Sequence, residues 1–145
     1  MATEDAVAPQ FLVARDDELD GLGCLVADLL SDNLQNLRRR ELLAGRRWAA
    51  AINVVDAESL FVVELGEGRA RVLSAVDAPV SLRIQIDGDT LVGLPEVPLV
   101  LGLPDPRSTV GRLIIRKLLN RELRIGGLLL HLGRLRRLLT LLNTV

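Results

Sequence analysis

Few side chains in this chain of 145 residues have types and spacing suited to chemistry, and those few stand apart. His131 is the only histidine and lies between Leu130 and Leu132. An imidazole becomes a base or a ligand through its neighbours, and a lone histidine among leucines reads as a packed or surface residue. Cys24 is the only cysteine. It sits among Leu22, Leu25 and Val26, with no second histidine to activate it as a nucleophile, and reads as buried filler. One thiol gives no internal disulfide and no sign of an oxidising compartment. His131 and Cys24 are too few for a metal site, which needs several His, Cys or carboxylate ligands. Asp87-Gly-Asp89 could be a carboxylate pair, but a turn after a strand explains it more simply. Gly126-Gly127 lacks the further glycines and the lysine of a phosphate loop. Catalytic groups must converge, and these do not. No enzyme, cofactor or metal is expected.

The charges are more informative. The net charge is −1, yet from Met1 to Leu37 there are eight acids and one base, and from Asp105 to Val145 nine bases and two acids. Such segregation suggests an anionic partner for the basic end, or an acidic end that folds back on it. Arg112 and Arg116 stand four residues apart, as do Lys117 and Arg121, so they form ridges on one helix. Gly133, Arg136, Arg137 and Thr140 oppose a leucine stripe on the last. Arg-rich, Leu-faced helices can lie on anionic bilayers, where each base contributes about 1 kcal/mol. A merely solvated basic face is the other reading, and the pattern leaves both open. Nucleic acid fits poorly: aromatics make up 2% of the chain, so no stacking platform accompanies the bases, and the pI of about 5.8 is far from basic.

The elements that must position these residues follow from hydrophobic period. Residues 1–18 are acidic and aperiodic, an expected tail, and 19–145 read as one domain. From 19 to 45 apolar residues recur every three or four positions (Leu22, Leu25, Val26, Leu29, Leu30, Leu34, Leu37), which predicts helix. Gly45 stops it, and Ser31-Asp32-Asn33 could split it. From Arg46 the period becomes two. Trp48, Ala50, Ile52 and Val54 predict one strand, residues 60–65 a second, Gly66-Glu67-Gly68 a hairpin, and residues 69–73 its return. Val80, Leu82, Ile84 and Ile86 predict a strand with one buried face. Pro95 and Pro98 break 90–103 into short helical turns. Ser108 or Thr109 caps a helix to about Arg121. Residues 122–125 make a last short strand, and 128–142 a final helix with Leu128, Leu132, Leu135, Leu139 and Leu142 on one stripe. Strands followed by helices indicate α+β. The acidic N-terminus lacks the basic and apolar regions of a signal peptide, and no uncharged apolar run is long enough to span a bilayer. A cytoplasmic protein that can touch a membrane is expected.

This order, carried by the run Ala50 to Leu65, the strand Ala78-Pro-Val-Ser-Leu-Arg-Ile-Gln-Ile-Asp87, and Leu123-Arg-Ile-Gly-Gly127 before a Leu-rich helix, resembles the sterol carrier protein type-two family over about residues 20–143. The resemblance implies a five-stranded, mostly antiparallel sheet covered by helices, with an apolar cavity between the layers. It implies non-catalytic binding or transfer of a lipid of sterol, fatty acyl or isoprenoid type. Ile84, Ile114, Leu118, Leu128, Leu132, Leu135 and Leu139 are the candidate lining. Arg112, Arg116, Lys117, Arg134, Arg136 and Arg137 are the candidate membrane surface. Leucines on more than one face of the last helix suit a ligand cover, because such a helix must be buried or partnered. The alternative is a ligand-free interaction module that homodimerises through that helix.

Overall fold

The change of period at Arg46 is where the sheet begins. In a computed structural model the described residues are 13–15, 18–74, 80–100, 102–120, 123–127 and 130–143. Strands β2 (Trp48–Val54), β3 (Ser59–Gly66) and β4 (Arg69–Leu73) form an antiparallel meander. Glu67 and Gly68, both at positive φ, turn the second hairpin, as a two-residue connection between twisted strands requires. β5 (Val80–Ile86) lies parallel to β2, and the short β8 (Arg124–Gly126) pairs antiparallel with β5.

Among the described residues the sheet has six strands, not the expected five, in the order β1 (Val13–Arg15), β4, β3, β2, β5, β8. The extra strand is β1, which pairs parallel with β4 and comes from the stretch read as a tail. Acid-rich flanks hid it, because three residues are too few to show a period. Two of the five pairings are parallel, so the sheet is mixed.

One face of the sheet is the core. Trp48, Ala50, Ile52 and Val54 meet Leu65, Val63, Phe61 and Ser59 across the β2–β3 ladder, and Leu82, Ile84 and Ile86 continue this face on β5. Val80 does not follow its expected face. A bulge leaves Ser81 as an extra residue between the pairs Ala49–Val80 and Ala50–Leu82. A one-residue slip reverses the side-chain alternation, so Val80 packs with Ala49, Ala51 and Val62 on the outer face.

Helix α1 (Gly21–Asn33) covers β3 and β4. Asp20 caps it by accepting from the Gly23 N–H at 2.9 Å, and the Ser59 hydroxyl also donates to Asp20. That hydroxyl, with the Gly23 N–H, holds the Asp20 carboxyl below the usual carboxylate range. The helix predicted through 45 breaks after Asn33, then resumes as α2 (Leu37–Arg40) and a 3₁₀ turn (Glu41–Leu43). Asn36 caps α2; Asn favours caps and turns over helix interiors.

After β5 come α3 (Gly88–Gly93), a 3₁₀ turn (Leu94–Glu96) and a small hairpin of β6 (Leu99–Val100) and β7 (Leu103–Pro104). The helical turns are as expected; the hairpin is not. Then follow α4 (Thr109–Leu119), capped by Ser108 at 2.8 Å from the Gly111 N–H, and α5 (Leu132–Leu142). His131 is the residue before α5 rather than inside it. Cys24 is half-buried, not core filler. Leu138, Leu141 and Leu142 face the core, and α5 packs beside α1, where Asn33 Nδ2 donates to the Leu141 carbonyl at 2.6 Å.

Candidate functional site

The core is not solid throughout. Between β5 and β8 below and the hairpin, α4 and α5 above lies a cavity of about 430 Å³, within the size range of small-molecule sites. Ile84 and Ile86 from β5 and Ile125 from β8 form its floor, with Leu123 beside them. Ile114, Ile115 and Leu118 reach it from α4, and Leu132, Leu135 and Leu139 from α5. Leu94, Val100, Leu103, Pro104 and Pro106 complete the wall. Among the described residues every lining side chain is Ile, Leu, Val or Pro. The exposed members, Val100, Pro106 and Leu132, mark the open side.

The spacing of α5 explains its excess of leucine. Leu132, Leu135 and Leu139 turn toward the cavity, while Leu138, Leu141 and Leu142 turn toward the solid core. Two apolar faces of one helix serve two neighbours.

The structure brings six of the seven candidate lining residues to this one space: Ile84, Ile114, Leu118, Leu132, Leu135 and Leu139. Leu128 lies outside the described residues. The rest of the wall was not among the expected lining residues. A signal existed for Leu123 and Ile125, which alternate with Arg124 and so share a face. None existed for Val100 or Leu103, whose hairpin was not foreseen.

The basic candidates divide. Arg112 and Arg116 are exposed on α4, and Arg136 and Arg137 on α5. Lys117 is engaged: its Nζ donates to Asp87 Oδ1 at 3.1 Å and to Thr90 Oγ1 at 2.6 Å, which fastens α4 to the first turn of α3. Burial alone would raise the Asp87 carboxyl, but the Thr90 hydroxyl and N–H and the Lys117 ammonium outweigh it and hold the pKa at about 2. Arg134 is engaged as well. Its guanidinium lies 5.8 Å from the centroid of the Trp48 ring and donates to Ser81 Oγ. Cation–π stacking and a hydrogen bond to the bulge seat α5 on the sheet. Gly127 permits that junction: at φ +86° a Cβ would stand 2.2 Å from the Ser81 carbonyl oxygen.

Asp87 caps α3, accepting from the Thr90 N–H at 3.1 Å, in keeping with a turn. Among the described residues no cluster of three or more His, Cys, Asp or Glu could hold a metal, and no helix is long and apolar enough to cross a membrane.

No family model and no curated protein matches this chain. A solved structure described as "UbiJ-SCP2 Ubiquinone synthesis protein" superposes with a TM-score of 0.57 at 12% identity, covering 83% of this chain and 91% of that one. The chain therefore has an α+β fold like that of the type-two sterol carrier proteins, built here on a six-stranded mixed sheet.

Proposed function

We propose that this protein binds the hydrocarbon part of a lipid in the cavity under α4 and α5, without covalent chemistry. The observation that carries the reading is the composition of the wall: a space of about 430 Å³ whose described lining is aliphatic throughout. Such a wall favours alkyl or isoprenoid groups at about 0.8 kcal/mol per buried CH₂. It gives no partner to a hydroxyl or carboxyl, whose unpaired burial costs about 1–3 kcal/mol. A lipid's polar head therefore belongs at the open side, by Val100 and Leu132. Among the described residues no nucleophile, acid or base lines the space. The similar fold of a protein named for ubiquinone synthesis supports a hydrophobic ligand. Exposed Arg112, Arg116, Arg136 and Arg137 support delivery or pick-up at an anionic membrane.

Reading α5 as a dimerisation surface has less support, because Leu135, Leu138, Leu141 and Leu142 are buried within their own chain. Native mass spectrometry of the purified protein, with displacement of a fluorescent fatty acid, tests the proposal. A co-purifying lipid and saturable displacement are expected. Leu139→Trp, which fills the cavity, should weaken probe binding about tenfold or more while the chain stays folded, since overpacking costs about 1–3 kcal/mol. A ligand-free protein that binds neither the probe nor vesicles would overturn it.

A further inference from the structure

The outer face of the sheet, opposite the cavity, carries a second feature. Strand register sets Ala49, Glu64 and Arg71 side by side on β2, β3 and β4. Arg47, just before β2, reaches the same place because Gly66 has no side chain: at φ +136° a Cβ would stand 2.5 Å from the Arg46 carbonyl oxygen. Arg69 pairs with Gly66 across the hairpin. Arg47, Glu64, Gly66, Glu67, Arg69 and Arg71 line a cleft of about 360 Å³.

Glu64 is the unusual member. Its side chain is 1% exposed. Oε1 lies 3.2 Å from Arg71 Nη1 and 3.7 Å from Arg47 Nη1. Oε2 is buried with no hydrogen-bond partner among the described residues. Buried carboxylate oxygens are normally paired, because losing water without a replacement is costly. The Arg47 guanidinium beside it is 43% exposed, so it can swing outward and open the way to it. Three bases against two acids favour an anion in this cleft. The orphan oxygen asks for a donor. A bare cation meets neither demand: it is not an anion and has no hydrogen to donate.

We propose that this cleft binds a small oxyanion that still carries a hydrogen-bond donor at neutral pH: inorganic phosphate or an α-hydroxy carboxylate. Its anionic oxygens accept from Arg69 and Arg71, and its O–H donates to Glu64 Oε2. The site is independent of lipid binding. It also predicts selectivity. Phosphate keeps a proton at neutral pH and sulfate does not, so Glu64 accepts from the first and repels the second.

The full chain, labelled with ¹⁵N, is titrated at neutral pH and constant ionic strength with phosphate against sulfate, and with glycolate against acetate. The second pair separates a hydroxy acid from a phosphate as the preferred form. Phosphate or glycolate should give saturable shifts confined to Arg47 and residues 64–71. Sulfate and acetate should bind about tenfold more weakly, the cost of an unpaired acceptor. Glu64→Gln, whose amide can donate, should bring each pair within about twofold, the discrimination being the lost acceptor's. Arg69→Gln, at an exposed position, should weaken both members of a pair alike. That variant keeps the test readable if Glu64→Gln fails to fold. Absence of saturable shifts with both phosphate and glycolate, or equal affinity within each pair, would sink the proposal.

Discussion

At the scale of single residues, Asp87 shows how one side chain serves two elements. It caps α3 through Thr90 and anchors α4 through Lys117. Asn caps a helix about as well as Asp, so Asp87→Asn keeps the cap and removes the charge. The expected loss is about 1–2 kcal/mol at neutral pH, discounted for partial exposure. A folded-state pKa of about 2 is below the ordinary carboxylate value of about 3.9. The stabilisation is therefore complete above that ordinary value and fades as acid is added down to about pH 2. Urea titrations of both proteins should show the gap closing over that range. Asp87 was legible as a turn residue from Asp-Gly-Asp, but its tie to Lys117 was not, because the two are 30 positions apart. The same distance problem misplaced Lys117 and Arg134. Helical spacing shows which residues share a face and says nothing of what that face meets.

At the scale of elements, α4 is a cover. It borders the cavity through Ile114, Ile115 and Leu118 while Val110, Leu113 and Leu119 stay exposed. The Lys117 contacts fasten it at one edge. Lys117→Met should raise hydrogen exchange of Thr109–Leu119 about three- to tenfold and speed probe release by a similar factor, as the loss of about 1 kcal/mol from a local opening equilibrium. Exchange measured by mass spectrometry, beside stopped-flow release, checks both; unchanged exchange would mean that apolar contacts alone hold the cover. Strong periods made the central strands, α4 and α5 legible in the sequence. The three-residue β1 and the β6–β7 hairpin were not, since two or three residues carry no period and their pairing is tertiary. The bulge at Ser81 was likewise invisible: Val80-Ser-Leu82 alternates perfectly, and only the ladder to β2 shows the slip.

At the scale of the molecule, the layers divide the work. The helical side encloses an aliphatic space, and the outer sheet face holds charge. Around the cavity, exposed bases and exposed apolar side chains alternate on α4, with Arg112 and Arg116 beside Val110, Leu113 and Leu119. Such a surface should partition onto phosphatidylserine-rich vesicles at low salt. Reversing both charges (Arg112→Glu with Arg116→Glu) should lower that partition at least tenfold at about 1 kcal/mol for each base lost. Binding to neutral vesicles should not change. Co-sedimentation at two salt concentrations measures it, and an unaffected double variant would remove α4 from the membrane face. The apolar cavity was legible in outline, as a family expectation plus too many leucines for one helix face. Its wall was legible only where a period pointed inward.

Trp48 is the single tryptophan of the chain, 2% exposed, with the α5 guanidinium of Arg134 over its ring. Among the described residues the lining of the cavity contains no aromatic side chain. The molecule is thus optically silent where a ligand would sit and carries one chromophore at the joint where α5 meets the sheet. Its emission is a native gauge of how α5 is seated, readable on the unlabelled protein as the cavity fills and empties.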